Sequence, residues 1–326
     1  MALNKEIWLN TIQENFFPQN SFTSKSVDDS VFVNNKTVHV PNAGSPSSVK
    51  KNRTTKPATV QTRTDQDLSY NIDELTTDPV YIPNVDQVEL SYDKRMSVIA
   101  NDREQLQKAA ADNLLQKWAK YAAGITTTGA NVTTRSANGT GDRRAITKAD
   151  VLAAATLFNK NDVPQENRYL LLNAAMYADL LNDLTDKELS AFLASADAQN
   201  GTLGRLYGFS IMMRSETDEV TDRSAAPSGG HTFLADTPTP EEAATLNAIA
   251  LAWQEKCVSR AIGEVKMFDE TDSPTYYGDI YSFLMRTGGS HRRYDKKGIA
   301  VIIEGEAVEE TVEETVEETV EDQCHE

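Results

Sequence analysis

Histidine and cysteine are the side chains that most readily support metal binding or nucleophilic catalysis, and this chain has few of either. The histidines are His39, His231, His291 and His325, and the cysteines are Cys257 and Cys324. Apart from the adjacent Cys324–His325, none of them stands at the spacing of zinc ligands. That adjacent pair lies in a polar tail and supplies no tetrahedral set. The spacing therefore predicts no metal site, and Cys257 is expected to be a buried, inert thiol.

Motifs of nucleophilic and phosphate chemistry are also missing from the sequence. There is no Gly-x-Ser-x-Gly motif of the kind that hydrolases use. The nearest approach to a phosphate-binding loop is residues 139–144, which lack the Lys-Ser/Thr ending. With 49 Asp and Glu residues, pairs of carboxylates say nothing about acid–base catalysis. The sequence predicts no catalytic residue and no cofactor, and it favours a protein that is not an enzyme.

The charge of the chain is concentrated at one end. The formal net charge is −17, but residues 304–326 contain 11 acidic residues and no Lys or Arg. Without this tail, 38 acidic residues stand against 32 basic ones. The body is therefore only mildly acidic, and it has no basic patch that predicts tight binding to nucleic acid.

Length and hydropathy limit the class of protein further. A chain of 326 residues is long enough for one large domain or two modest ones. It has no run of about 18 apolar residues, so no membrane-spanning helix is expected. Its N-terminus has no apolar signal core, which predicts a protein made and used in a cytoplasm.

The first 92 residues resemble extended segments more than a compact domain. Residues 1–45 include Trp8, Ile12 and Phe16 at four-residue steps, typical of a short amphipathic helix that needs a surface to pack on. In the stretch that follows, six basic residues between 30 and 64 precede eight acidic residues between 65 and 93. This segregation fits a hairpin, or docking of one copy on another. It fits a solvated loop with chance clustering of charge equally well, because exposed ion pairs stabilise little.

Residues 93–123 carry the strongest helical pattern in the chain. Apolar residues recur at steps of three and four, and charged residues occupy the other face. Gly124 is a natural C-terminal stop. Such a helix would span roughly 45 Å, which is typical of a strut. We expect Leu114 and Trp118 to lie on its buried face.

The pattern of residues after position 123 predicts a mixed α+β protein. It lacks the regular alternation of strand and helix of a doubly wound sheet. A helix is expected over 149–158, a strand over 169–172 that runs directly into a helix over 174–181, a helix over 189–198, and strands over 208–213, 265–268 and 298–303. The Ala-rich residues 241–261 predict a further helix. From 304 onward the chain repeats Val-Glu-Glu-Thr three times, and its dense like charge predicts a disordered tail.

Four blocks of the sequence, taken in order, are similar to the major capsid proteins of tailed bacteriophages, which share the Hong Kong 97-type fold. They are the opening of the long helix at 93–99, the strand–helix unit at 168–181, the turn and Gly-Phe strand at 204–211, and the last strand at 298–303. The resemblance implies an N-terminal arm (1–45), an extended loop with adjoining strands (46–92) and the spine helix of a peripheral domain (93–128). It further implies an axial domain with a return to the peripheral domain (129–303), followed by the acidic tail (304–326).

The resemblance also implies a function and partners. The chain would self-assemble, as pentamers and hexamers, into an icosahedral shell around the genome, in the virion, after assembly in a bacterial cytoplasm. Scaffolding and portal proteins would be partners, packaged double-stranded DNA would be contacted weakly and without specificity, and no membrane or cofactor would be involved. Subunit contacts of the extended loop are assigned to Lys50, Lys51, Arg53 and Lys56. Some family members form a Lys–Asn cross-link from this loop, but no matched acceptor is evident here.

Two other functions remain open at this stage. An encapsulin-type nanocompartment shell has the same fold and encloses an enzyme cargo instead of DNA. A soluble hydrolase with an unrecognised site belongs to a different class, and would be a monomer with a deep polar pocket.

Overall fold

The computed structural model describes residues 21–308, with gaps at 34–35, 55–56, 58–59, 61, 84–93, 198–200, 224–228 and 234–237, and only the backbone of 94–100. The helices in this part are α1 (Lys94–Ala119), α2 (Lys148–Lys160), α3 (Ala174–Asp183), α4 (Asp186–Ala194) and α5 (Pro240–Thr245). The first strands are β1 (Val27–Asp28), β2 (Thr37–Asn42), β3 (Gln66–Asn71), β4 (Asp73–Thr76), β5 (Val80–Pro83), β6 (Ala123–Thr126), β7 (Asn131–Thr133) and β8 (Asp142–Arg144). The remaining strands are β9 (Arg168–Asn173), β10 (Gly204–Leu206), β11 (Phe209–Arg214), β12 (Glu219–Val220), β13 (Asn247–Gln254), β14 (Val258–Ser273), β15 (Gly278–His291), β16 (Ile299–Ile303) and β17 (Gly305–Glu306).

A long antiparallel hairpin, formed by β14 and β15, is the centre of a five-stranded sheet. On one side β1 pairs with β14 in parallel, and on the other side β4 and β5 both pair with β15. The strands β4 and β5 come from the segment assigned to the extended loop, so that segment is partly integrated into this sheet.

A second, seven-stranded sheet has the order β10-β11-β9-β13-β16-β6, with β12 paired to β13. Helices α2, α3 and α4 cover one face of this sheet, and α1 and Phe22 cover the other. Because both faces are covered, the central strands are apolar along their whole length, as buried strands are.

Helix α1 is the element that packs on both sheets. Leu106 and Ala110 contact the hairpin residues Met267, Phe283 and Met285. One turn later, the C-terminal half of the helix packs on the seven-stranded sheet. Its 26 residues span about 39 Å.

Helix α1 ends earlier than the sequence predicts. The helix ends at Ala119, and Gly124, which the sequence suggested as its stop, lies in β6. Residues 123–126 pair in parallel with residues 300–303 of β16. The edge of the sheet gives these residues the backbone hydrogen-bond partners that they would otherwise have found in a longer helix.

The Ala-rich stretch at 241–261 is not one helix, and this prediction was wrong. Only residues 240–245 are α-helical, and β13 follows with all eight of its residues buried. Its alanines (Ala248, Ala250 and Ala252) face the helices α2–α4, whereas the larger residues between them face α1. This alternation has the period of a strand, and the small alanine side chains leave room for helices on their face. Tertiary packing therefore overrides the helix propensity of alanine.

The strand–helix unit predicted from 168–181 is confirmed as β9 running directly into α3. Asn173 makes the sharp transition possible, because its Oδ1 accepts a 2.7 Å hydrogen bond from the backbone N–H of Met176. This is the usual arrangement of an N-terminal helix cap. The strands expected near 208–213 and 298–303 are also present, as β11 and β16.

The N-terminal region forms a hairpin, but none of its six segregated basic residues lies in the two paired strands. Strands β2 and β3 pair antiparallel, from Thr37 opposite Asn71 to Asn42 opposite Gln66. His39 Nδ1 lies 2.6 Å from Asp67 Oδ2 across the hairpin. The segment 43–65 connects the two strands.

The start of the acidic tail also needs correction, because residues 304–308 are part of the fold. Glu304 is buried, and its carboxylate accepts hydrogen bonds from Thr134 Oγ1 at 2.7 Å, from Arg135 N at 2.6 Å and from Ala248 N at 2.9 Å. Strand β17 then pairs with β8. A glutamate with three donors is stable inside the protein, so local charge density was a poor guide here. Residues 309–326 lie outside the described residues.

Candidate functional site

The surfaces that stand out in this chain are exposed apolar and basic groups on elements that extend from the two sheets. The first is the segment 43–65. Contacts between Gly44 and Asp65 hold its two ends together, and the residues described between them are mostly exposed. Asp65 accepts a 2.9 Å hydrogen bond from the Gly44 N–H, and its carboxylate lies 2.6 Å from Arg63 Nε. A Cβ on Gly44 would lie 2.1 Å from the Thr64 carbonyl oxygen. Only glycine therefore allows the chain at position 44 to approach Thr64 this closely.

The tip of that segment carries the basic residues assigned to subunit contact. Lys50, Lys51 and Arg53 are exposed, and no described residue forms an ion pair with them. Lys56 lies outside the described residues. Val49 is 97% exposed and Val60 is 92% exposed. Valines and cations that find no partner among the described residues fit a contact with another molecule.

The second surface is the distal end of the β14–β15 hairpin, which the sequence reading missed. Tyr276 and Tyr277 lie in the turn, and Tyr277 is 79% exposed. The Tyr81 hydroxyl donates a hydrogen bond of 2.5 Å to the Tyr276 carbonyl oxygen, and the two rings lie 6.4 Å apart. The exposed acidic residues Asp269 and Glu270 lie on β14 near this turn. We call this surface the hairpin tip. Its signal in the sequence is the Tyr-Tyr pair between Pro274 and Gly278, which bracket a turn.

The third feature is an aromatic joint at the C-terminal end of α1. The ring of Trp118 lies 6.2 Å from Phe22 in an edge-to-face arrangement and 5.7 Å from Trp253. Trp253 in turn lies 5.7 Å from Tyr169. Such pairs contribute beyond the burial of their area. Leu114 and Trp118, the two residues singled out on the helix, are both buried, with exposed fractions of 2% and 1%.

Polar contacts link α1 to both sheets around this joint. Lys117 Nζ lies 2.7 Å from Asp73 Oδ2 on β4, and the Asn113 amide donates to the same oxygen at 2.9 Å. On the other side, Arg214 of β11 lies 2.5 Å from Asp112. Burial, aided by the negative charge of Asp112, raises the pKa of the neighbouring Asp218 to about 7. The helix is therefore fixed to each sheet by its own set of contacts.

The buried histidines His231 and His291 and the buried Cys257 occupy structural positions. His231 is buried, with Nδ1 at 2.9 Å from Asp222 and Nε2 at 3.1 Å from the Ala122 carbonyl oxygen. Burial lowers the pKa of His291 and raises that of the free thiol of Cys257. Among the described residues, no group of three or more His, Cys, Asp or Glu could hold a metal ion.

The segment that resembled a phosphate loop is structural as well. Arg143 lies in β8 with its guanidinium buried, where Nε donates a 2.8 Å hydrogen bond to Asn247 Oδ1. In the part of the chain that the structure describes, no helix is both long and apolar enough to span a membrane.

Solved structures show the same fold over nearly the whole chain. The capsid of Ralstonia phage GP4 is 12% identical, with a TM-score of 0.60 and coverage of 87% of this chain and 88% of that one. The capsid of cyanophage P-SCSP1u is 19% identical, with a TM-score of 0.57 and coverage of 87% and 86%. A virus-like particle from Pyrococcus furiosus is 9% identical, with a TM-score of 0.53 and coverage of 92% and 99%. These likenesses confirm the expected phage-capsid fold.

The sequence itself carries the family signal. No curated protein matches the chain, but the family model described as "Phage capsid protein" matches residues 84–273. The matched region runs from before α1 to the end of β14, and it is more than half of the chain. The chain therefore belongs to the phage capsid protein family.

Proposed function

We propose that this chain is the major capsid protein of a tailed bacteriophage, and that it self-assembles into the icosahedral shell that encloses the genome. The observation that carries the proposal is the family match across residues 84–273. The fold supports it, because the likeness to phage capsid subunits covers most of both chains. The role is structural, and it requires no catalytic residue or cofactor.

The two sheets support a division of the subunit into two parts. We assign the five-stranded sheet with α1 to the peripheral domain, and the seven-stranded sheet with α2, α3 and α4 to the axial domain. Trp118 and Leu114 lie where α1 meets both, so this joint sets the angle between the two parts.

The extended loop docks on a neighbouring subunit through Lys50, Lys51, Arg53 and Lys56. The hairpin tip is the described surface that best fits these cations, because it combines exposed tyrosine rings with the acidic Asp269 and Glu270. Cations bind to tyrosine faces and to carboxylates at once, and Val49 at the loop tip adds an apolar contact. Each exposed ion pair contributes about 0–1 kcal/mol, so assembly depends on many copies of the contact.

Other partners follow from the same role. A portal protein would occupy one vertex, a scaffolding protein would guide assembly, and the mildly acidic body would contact packaged DNA weakly. Weak contact suits a container that must release DNA, because tight binding depends on many Lys and Arg contacts to phosphate. Assembly would take place in the host cytoplasm and the mature protein would reside in the virion.

The test is to express the full chain, alone and with candidate scaffolding proteins from the same genome, and to examine the products by light scattering and negative-stain microscopy. We expect closed shells or large oligomers. Only monomers under every condition would contradict the proposal. Shells that contain a protein cargo and no nucleic acid would favour an encapsulin-type compartment instead.

A further inference from the structure

An apolar cleft lies along the free edge of the seven-stranded sheet. Strand β6 ends the sheet, and no described strand pairs with its outer side. Between β6 and α2 there is a cleft of about 630 Å³. Ala123, Gly124 and Ile125 line one wall, and Leu152, Thr156 and Leu157 line the other. Leu152 is 45% exposed, so a large side chain faces water from this cleft.

The chain leaves the described structure close to one end of this cleft. Val308 exchanges two hydrogen bonds with the side chain of Asn131, at 2.7 and 3.0 Å. Three residues before Asn131, Thr128 Oγ1 donates a 2.7 Å hydrogen bond to Asp150 in the first turn of α2. Ala149, next to Asp150, lines the near end of the cleft, and Lys160 lines the far end. The 18 residues from 309 onward therefore begin beside the cleft.

The sequence of those residues fits the length and chemistry of the cleft. Val312, Val316 and Val320 recur every four residues. In a helix they would stay within about a quarter of the circumference and span about 12 Å. The α2 face from Ala149 to Lys160 is about 17 Å long by the same rise.

We propose that the acidic tail folds back as a helix and docks Val312, Val316 and Val320 into the cleft between β6 and α2 of its own subunit. The glutamates point to solvent, and Lys160, the only charged residue that lines the cleft, faces the far end of the tail. The tail thereby covers the exposed edge of β6 and the apolar wall of α2. Free sheet edges invite pairing with other chains, so the docked tail keeps subunits from associating through this edge.

The proposal accounts for the feature that made the tail look disordered. The repeated glutamates repel one another at four-residue spacing, and valine is a modest helix former. A helix there needs a surface to pack on, and the cleft supplies one. Because repulsion between glutamates opposes docking, salt that screens it strengthens docking. Docking driven by attraction to a basic surface would weaken instead.

Thiol labelling of dilute, unassembled subunits tests the proposal without relying on shell formation. Leu152→Cys is introduced together with Cys324→Ser, and its reaction with a bulky maleimide is timed in the full chain. The matched variant adds Val312→Ser, Val316→Ser and Val320→Ser, which keep the length and charge of the tail. Glu241→Cys on the exposed face of α5 is the labelling control.

We expect the valine tail to slow labelling at Leu152→Cys about tenfold, which corresponds to a docked population of about ten to one. The serine tail should lose this protection, added salt should increase it, and Glu241→Cys should react at the same rate in both chains. Equal labelling with both tails would overturn the proposal. Protection that persists with the serine tail would assign the cleft to residues 1–20, and protection that appears only on assembly would assign it to a second copy.

Discussion

The indole N–H of Trp118 donates a 2.8 Å hydrogen bond to the carbonyl oxygen of Ser259. Trp118 lies near the end of α1, and Ser259 lies at the base of the long hairpin. The same indole ring packs against Trp253 in the seven-stranded sheet. One side chain therefore joins the helix, the hairpin and the second sheet, so a substitution of Trp118 disturbs all three.

Replacing Trp118 with alanine should lower the free energy of unfolding by about 3–5 kcal/mol, because the change leaves a cavity in a fully buried site. Trp118→Phe retains an aromatic ring and loses the hydrogen bond to Ser259, so a smaller loss is expected. Urea unfolding of the unassembled subunit measures both. An unchanged midpoint for Trp118→Ala would show that the joint does not stabilise the subunit.

The close approach of α1 to the hairpin depends on Gly289. A Cβ at this position would lie 2.5 Å from the Ser259 carbonyl oxygen and 2.6 Å from Leu114 Cδ2. Gly289→Ala should therefore destabilise the subunit by about 1–3 kcal/mol through overpacking. Gly229→Ala is the control, because a Cβ there has no heavy atom within 4 Å. Similar melting temperatures for the two variants would contradict the close packing.

Asp218 should make the subunit less stable as the pH rises toward neutrality. Its pKa is about 7 in the folded protein, above the usual value near 3.9 for an unfolded chain. The folded state therefore holds a proton that the unfolded state releases first, and stability declines between about pH 4 and pH 7. The decline amounts to at most about 4 kcal/mol.

Asp218→Asn removes this charge, so it should raise the melting temperature at pH 8 more than at pH 5. The exposed Asp142 supplies the control, since Asp142→Asn should shift the melting temperature little at either pH. A gain for Asp218→Asn that is equal at both pH values would rule out titration of Asp218 as the cause.

Reversing the basic loop tip should impair assembly and leave the subunit folded. With Lys50, Lys51, Arg53 and Lys56 changed to Glu, we expect fewer shells by light scattering and an unchanged circular dichroism spectrum. The defect should be largest at low salt, where charges are least screened. Unimpaired assembly at low salt would exclude this contact.

Co-assembly with a charge-swapped hairpin tip locates the acceptor of the loop. Asp269→Lys with Glu270→Lys should restore part of the assembly lost in the loop variant. Failure to restore it, when both variants fold, would place the acceptor elsewhere on the neighbouring subunit.

Truncation distinguishes a folded region that ends at Ile303 from one that ends at Val308. Ending the chain after Val308 removes only the docked tail, so for a docked population of about ten to one it should cost about 1.4 kcal/mol of stability. Ending it after Ile303 removes the Glu304 carboxylate and leaves the Ala248 and Arg135 N–H groups without their acceptor. Each buried donor left unpaired costs about 1–3 kcal/mol. Equal melting temperatures for the two truncations would show that Glu304 is dispensable.

Elements with strong local signals could be predicted from the sequence. Helix α1, the β9–α3 unit with its Asn173 cap, and the strands β11 and β16 follow from apolar periodicity and from capping and turn residues. The Ala-rich β13 could not be predicted in this way. Alanine favours helix in isolation, and the helices that select a strand with one small-residue face are distant in the sequence.

The candidate surfaces divide along the same line. The basic loop was visible in the sequence because its charges are contiguous, whereas the hairpin tip brings Tyr81 together with Tyr276 and Tyr277 across some 195 residues.

The sequence by itself determined the family, the long helix with Leu114 and Trp118 on one stripe, and the absence of recognisable catalytic motifs. These properties depend on residue types and on spacings within a few turns of chain. Only the tertiary structure decided that α1 ends at Ala119, that Glu304 is a buried acceptor, and that an apolar cleft lies beside the start of the acidic tail. Each of those depends on hydrogen-bond and packing partners well outside a few turns of chain, such as Thr134, which lies 170 residues from Glu304, and local periodicity carries no information about such partners.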